Sequence, residues 1–512
     1  MNDARRRFHL LACGGALLAW ACSSCQPSSQ TEGDEWPTSP PEQQGFDSAE
    51  LASVVERIDD ENLPIDSVQI VRNGVLILDA YFYPYLGEQP HDIASVTKSV
   101  TSTLVGIAVD RGLLQLDQGM LEFFSGIAPA PAGDGKEDIQ VSHLLKMSSG
   151  LACGYLPGEQ ELYAMIASQN YVEFALDLPM ATMPGTTFGY CSPGSHLLSA
   201  MVSTVAKQST HEFANENLFA PLGISESFWP EDPQGVNHGW GDLQLYPRDM
   251  ARIGQLFLDD GQWNGTQIVS REWVQEATKA FLTVDTDGTG YGFQWWILSG
   301  DLEGLYEARG RGGQAIIVWP DAKIIAVFTG RGIDVRNDIA PLLAATIKSD
   351  DALAPNAEAN ARLEAAIARA KEPPPAQPVP DLPPMATEVS GKSYRLEPNQ
   401  FDARCIALDF QSPADVVFTL TVSEGTFDLP VGMDGVPRFS DSGPTGIPVG
   451  VTGGWTAPIV FEMAYDEVAG PNHLHIRGDF GSDADSVTLL FSDPAGQFPP
   501  QVVPGVAVTS CN

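Results

Sequence analysis

At 512 residues, with 43% hydrophobic and 18% charged side chains, the chain is long enough to hold more than one domain, each with its own core. Its net charge of −38 argues against nucleic acid or an anionic membrane surface as a partner, because a strongly acidic field repels both.

The N-terminal run "MNDARRRFHLLACGGALLAWAC" has an arginine-rich start, a short apolar stretch and small residues before Cys22, the layout of an export signal over residues 1–21. Its "RRRFHL" resembles the twin-arginine export motif. Ala19, Trp20, Ala21 and Cys22 resemble a bacterial lipobox with Cys22 as the lipidated residue, and they also satisfy an A-x-A peptidase site, so cleavage before Cys22 follows from either. The expectation is a periplasmic or outer-membrane lipoprotein, with plain secretion as the alternative. Residues 22–45 are polar and proline-rich, which suits a flexible tether.

Asn73-Gly74 stands between two β-rich runs and predicts a tight hairpin, and a second hairpin is expected over 314–330, turning at Pro320-Asp321. Between them lie mainly helical patterns, among them 99–111 and "PRDMARIGQLFLDDG", each stopped by glycine. Strands at both ends and helices between them predict a mixed sheet flanked by helices, over residues 46–350. Residues 351–384 read as one solvated helix running into a polyproline linker, and 385–512 as a small C-terminal all-β domain, a sandwich or barrel. Outside the signal region the cysteines are Cys153, Cys191, Cys405 and Cys511; a Cys405–Cys511 staple is favoured among three pairings, with four separate buried thiols as the alternative.

The chemistry is expected near Ser95 and Lys98. Three residues apart on a helix, they share a face, so hydroxyl and amine come within reach, and the helix start supplies unpaired amides that favour an oxyanion. A lysine made neutral by burial takes the serine proton. Ser95-Val96-Thr97-Lys98 is the only S-x-x-K tetrad in the chain. Downstream, Tyr190-Cys191-Ser192 offers a phenol to shuttle the proton and a hydroxyl to bond the lysine. Farther on, Arg311-Gly312-Gly313-Gln314 opens a strand, where glycines let a substrate use a backbone amide. Without any of these, the tyrosine is a packed loop residue and the glycines a plain turn.

These three segments resemble, in order, the motifs of the serine β-lactamase and penicillin-binding protein superfamily, and within it the chain is similar to class C β-lactamases, esterases and 6-aminohexanoate-dimer hydrolases. "LLKMSSGL" (144–151), "LYPRDMARIGQLFLDDGQWNG" (245–265) and "YGFQWW" (291–296) extend the likeness over residues 46–350. The resemblance implies an α+β fold with a β-lactamase-like mixed sheet and a helical subdomain, and a hydrolase that needs no cofactor and no metal. It implies Ser95 as acylated nucleophile, Lys98 and Tyr190 as the base system, and the amides of Ser95 and Gln314, or Gly313 in its place, as the oxyanion hole. The family's usual Lys-Thr/Ser-Gly third motif is replaced by Arg311 and glycines, which retains charge but loses the hydroxyl. That favours a small carboxylic ester or amide as substrate. A β-lactamase or D,D-peptidase, and an inactive binding or scaffold lipoprotein, are the alternatives. His473 and His475 share a strand face without further ligand spacing, which predicts packing rather than metal binding, and His91 precedes the helix in a structural or substrate-contacting place. Trp240, Trp295 and Trp296 are candidates for core or pocket lining.

Overall fold

The computed structural model describes residues 36–126, 135–154, 159–284, 288–494 and 499–511, so the expected export signal, Cys22 and most of the tether lie outside the described residues. Chain order within the first domain gives helix α1 (Ser48–Asp60), strands β1 (Ile65–Arg72) and β2 (Val75–Tyr81), helices α2 (Val96–Asp110), α3 (Ser192–Ala206) and α4 (Pro247–Leu258), strands β3 (Tyr306–Gly310), β4 (Gln314–Trp319) and β5 (Ile324–Gly330), and helix α5 (Ala357–Arg369). The sheet runs β2-β1-β5-β4-β3 and continues through three two-residue strands at 296–297, 290–291 and 282–283. Both expected hairpins form. Arg72 pairs with Val75 across Asn73 and Gly74, whose φ values of 52° and 74° are those of the tight turn that matches strand twist.

Side-chain alternation places helices on both faces. Ala315, Ile317, Ile324 and Phe328 pack with Leu51, Val55 and Ile58 of α1, whereas Ile316 and Ile325 meet α4. A Cβ on Gly254 of α4 would sit 2.7 Å from Ile325 and 2.9 Å from Ile316, so this glycine permits the helix to lie close on the sheet.

Two expectations for the flanks are corrected. Helix α5 is solvated on one side only: Leu363, Ala366 and the following Ala370 are buried in the α1 core, and Arg362 and Arg369 pair with Glu56 and Asp59 of α1. Alanine at these positions lets two helices approach closely, a small-residue face that composition alone reads as polar. Likewise the ordered chain begins before residue 46, since the Pro37 carbonyl accepts the Leu76 amide (2.8 Å) and Glu42 is buried.

The C-terminal region holds β6 (Ser393–Leu396), β7 (Cys405–Ser412), β8 (Asp415–Thr421), β9 (Thr426–Val431), β10 (Arg438–Ser440), β11 (Val449–Ala457), β12 (Val460–Glu467), β13 (His473–Phe480), β14 (Ser486–Ser492) and β15 (Gln501–Val508). They form one ten-stranded sheet in the order β9-β8-β7-β6-β15-β14-β13-β12-β11-β10. The sheet curls until Gly432, just after β9, bonds Val451 and Gly453 of β11 (2.9 and 3.1 Å), which nearly closes a barrel around Tyr394, Phe418, Phe461 and Phe480. Cys405 and Cys511 are paired here (Cα–Cα 5.9 Å), and Cys153 and Cys191 in the first domain (5.1 Å). His473 bonds Asp466 and His475 lies 3.6 Å from Glu462, so both are held in carboxylate pairs.

A buried ionic chain links barrel and hydrolase-like domain. Arg331, after β5, sits 2.9 Å from Asp66 of β1 and 3.0 Å from Asp466 of β12, and Asp66 in turn holds the buried His91 ring (2.9 Å). His91 is therefore structural. Among the described residues no helix is long and apolar enough to cross a membrane.

Candidate active site

Ser95 is the N-cap of α2, and its side chain makes no capping bond, which leaves Oγ for other partners. The segment leading to it is held in an unusual shape: Ala94 has φ 45°, a left-handed conformation costly for a residue with Cβ. Asp92 compensates, its Oδ1 accepting the Ala94 amide at 2.7 Å. Burial, aided by the nearby Asp242 carboxylate, pushes the Asp92 carboxyl up to about 8.

Lys98 lies one turn along, fully enclosed at 1% exposure. Its Nζ donates to Ser95 Oγ (2.9 Å) and to the Trp240 carbonyl (2.8 Å). Burial lowers its pKa to about 8, while Glu159 and Asp242 pull the other way. Tyr190 comes from the loop that enters α3. Its hydroxyl bonds Ser95, its ring lies 4.7 Å below Lys98 Nζ, and it stacks on Trp296 at 6.1 Å. Burial holds this phenol well above its ordinary range, so it is neutral at any physiological pH. Serine and lysine thus meet as their spacing expects, and the tyrosine of the downstream motif joins them. The Cys153–Cys191 bridge fixes the residue next to Tyr190, and Cys191 Sγ accepts the Gly194 amide at the start of α3.

The other expected residues sit differently. Ser192 does not bond the lysine; it donates to Glu159 Oε1 at 2.5 Å, and the lysine's second partner is the Trp240 carbonyl. Gln314 is buried inside the sheet, where Nε2 donates to the Gly330 carbonyl (2.5 Å) and Oε1 accepts the Gly330 amide (3.2 Å), stapling β4 to β5. Gly312 and Gly313, with φ 86° and 98°, make the turn between β3 and β4. The residue alongside the nucleophile is Gly310, where a Cβ would lie 2.6 Å from the Ile93 carbonyl and 3.0 Å from the Ser95 amide nitrogen. Arg311 points away to Asn472 (2.7 Å). The guanidinium that bears on Tyr190 is instead that of Arg309, 5.0 Å from the Trp296 ring centre and paired with Glu307. A cavity of about 260 Å³ opens beside Gly310, lined by Glu307, Arg309, Asp334 and Arg336 among others.

Glu159, Asp242, Arg309, Gly310 and the Trp240 carbonyl escape sequence reasoning. One signal was available, the "HGWGD" run at 238–242: a Cβ on Gly239 would sit 2.2 Å from the Ser195 carbonyl, so glycine is what lets this loop press between α2 and α3. Of the tryptophans, Trp240 and Trp296 flank the site, while Trp295 packs in the core on Phe257 at 4.4 Å. Among the described residues no cluster of three or more His, Cys, Asp or Glu side chains is arranged to hold a metal ion.

Comparison with known proteins gives the chain's family. A family model described as Beta-lactamase matches residues 51–334. Penicillin-binding protein 4 of Amycolatopsis lactamdurans is 25% identical over 274 residues, 46% of this chain and 71% of that protein. The 6-aminohexanoate-dimer hydrolase of Paenarthrobacter ureafaciens is 24% identical over 295 residues, 53% of this chain and 74% of that one. Among solved structures, EstCE1, a hydrolase with promiscuous acyltransferase activity, is 16% identical with a TM-score of 0.50, covering 59% of this chain and 99% of that chain.

Proposed function

Because this chain belongs to the β-lactamase family of serine hydrolases, we propose that it cleaves a small carboxylic ester or amide through an acyl-enzyme on Ser95. The observation that carries the reading is the 2.9 Å contact between Ser95 Oγ and a buried Lys98 whose pKa is brought to about 8. Near neutral pH about one lysine in ten is then neutral, against about one in 3,000 for a free lysine.

The neutral amine accepts the Ser95 proton as Oγ attacks the substrate carbonyl. The negative charge that develops on the carbonyl oxygen falls at the start of α2, where the Ser95 amide and the main chain at Gly310–Arg311 face it. Tyr190, kept neutral, relays the proton from Lys98 to the leaving oxygen or nitrogen, and the same groups in reverse deliver water to the acyl-enzyme. We assign the second oxyanion donor to the Gly310–Arg311 main chain rather than to the Gln314 or Gly313 amide because Gly310 is the residue that abuts the Ser95 nitrogen, and the lysine's second partner is the Trp240 carbonyl rather than Ser192. Arg311, occupied by Asn472, leaves no lysine-and-hydroxyl pair to grip a β-lactam carboxylate, which supports an ester or simple amide. Relatives named 6-aminohexanoate-dimer hydrolase and a structural neighbour described as a hydrolase with acyltransferase activity point the same way.

We also propose that the protein is exported and anchored through Cys22; two disulfides outside the signal support an oxidising compartment. The deciding experiment treats the purified protein with a fluorophosphonate probe, p-nitrophenyl acetate and butyrate, a chromogenic cephalosporin and fluorescent penicillin. Labelling and ester hydrolysis that both vanish in Ser95→Ala are expected. Hydrolysis unchanged in Ser95→Ala removes the reading, and acylation by penicillin with no esterase activity replaces it with the D,D-peptidase alternative.

A further inference from the structure

The tip between β12 and β13 of the barrel touches both main-chain segments that frame Ser95. On one side the Asp92 amide, three residues before the nucleophile, donates to the Ala469 carbonyl at 2.8 Å. On the other, Arg311, the residue after Gly310, donates from Nη1 to Asn472 Oδ1 at 2.7 Å. Between these two bonds Pro471 rests on the β3–β4 turn, where a Cβ on Gly312 would come within 2.9 Å of Pro471 Cβ. Any larger residue at position 312 would lift the tip away.

The tip is braced from behind. Glu467 is buried, and its carboxylate accepts from Asn472 Nδ2 (2.6 Å) and Thr445 Oγ1 (2.7 Å), while its amide donates to the Asn472 carbonyl (3.0 Å). With Nδ2 committed to Glu467, the asparagine amide has one orientation, and it turns Oδ1 toward the guanidinium. The two gripped segments come from opposite ends of the hydrolase domain. Between them lie Ser95 and Gly310, where a Cβ would come within 3.0 Å of the Ser95 nitrogen, and at a reacting centre a shift on the order of 1 Å costs about 100-fold in rate.

We propose that Asn472 is a positioning residue for catalysis at Ser95: by holding Arg311 it sets the Gly310–Arg311 main chain at the spacing from the Ser95 amide that an oxyanion requires. This rests on the acyl-enzyme reading and deepens it, since it makes the barrel one wall of the catalytic frame rather than a separate binding module.

The test uses the full chain and three variants, with kcat and KM for p-nitrophenyl acetate and butyrate, the rate of fluorophosphonate labelling, the pH profile and Tm. Asn472→Ala is expected to lower kcat and labelling about 10- to 100-fold, with KM within about twofold and the pH midpoint unmoved, because the Lys98 contacts are intact. Gln89→Ala removes a different bond to the same tip, Gln89 Nε2 to the Val468 carbonyl (3.0 Å), and should leave kcat at the parent value. Should Asn472→Ala fail to fold, Arg311→Met breaks the contact from the other side with the same expected loss. Parent-level kcat in Asn472→Ala, or in Arg311→Met where that stands in, overturns the proposal, as does an equal loss in Gln89→Ala. A parent protein inert to the fluorophosphonate overturns the acyl-enzyme reading along with it, whereas a labelled parent and an equally labelled Asn472→Ala overturn this proposal alone.

Discussion

Replacing Lys98 by methionine should abolish turnover and yet strengthen the fold at neutral pH. Burial lowers the lysine pKa from 10.5 to about 8, so the folded state holds this proton less tightly than the unfolded chain. The sign follows: the unfolded state binds more protons between those two values, so the lysine's penalty is complete below about pH 8 and fades as pH rises to 10.5. A shift of that size corresponds to about 3 kcal/mol at pH 7. Methionine removes the penalty but strands the Trp240 carbonyl, which now accepts the amine at 2.8 Å, at a cost of about 1–2 kcal/mol. The variant is thus expected to be about 1–2 kcal/mol more stable than the parent at pH 7. Above about pH 10 it should be less stable, because only the lost hydrogen bond remains. Urea unfolding at pH 7, 8.5 and 10 measures the crossover. In the parent, the acylation rate with p-nitrophenyl acetate should climb along one limb and level off near pH 8. A parallel stability difference at all three pH values, or a rate limb centred below pH 7, would refute a buried, depressed lysine as the base.

Gly310→Ala pushes a methyl group to within 2.6 Å of the Ile93 carbonyl and 3.0 Å of the Ser95 nitrogen, so main chain must shift: acylation should fall about 100-fold and the fold should lose about 1–3 kcal/mol, as read by fluorophosphonate labelling and urea unfolding. Arg331→Met leaves the buried Asp66 and the largely covered Asp466 facing each other without their shared cation, and denaturant unfolding should register a loss of about 3–5 kcal/mol. Burial alone would raise the Asp466 carboxyl, but Arg331 and His473 together hold it below its ordinary value. Its contribution is therefore present above the ordinary aspartate range and lost as pH falls through and below about 4, and acid titration of the parent should show stability declining there.

Where a feature depended on local spacing, the sequence was sufficient. Ser95 and Lys98 meet because a helix turn brings i and i+3 together, and Asn73-Gly74 turns because asparagine followed by glycine tolerates two left-handed residues at little cost. Tyr190 was legible from its motif. The remaining partners depend on how distant segments cross. The lysine's second acceptor is a main-chain carbonyl at Trp240, and a carbonyl carries no side-chain signature. Arg309 and Arg311 are two residues apart at a strand end, and which one faces the phenol is fixed by where β3 stops pairing with β4. Gln314 looks like a substrate contact beside its glycines but spends both ends of its amide on Gly330. Helix α5 hides its packing face in alanines, whose burial follows from the closeness of α1 rather than from hydropathy.

The bond between Cys153 and Cys191 adds a covalent tie to a loop that is also held by the Gly189 amide on the Met147 carbonyl (2.7 Å) and the Cys191 amide on Met147 Sδ (3.2 Å). Its second cysteine is the immediate neighbour of the phenol, so until those thiols are oxidised the loop bearing Tyr190 lacks its covalent latch to the 148–154 segment. Reducing the purified protein is expected to loosen that loop without unseating Ser95 from Lys98, so esterase activity should fall under a thiol reductant and return on reoxidation; activity unchanged by reduction would mean that the bonds to Met147 hold the phenol unaided.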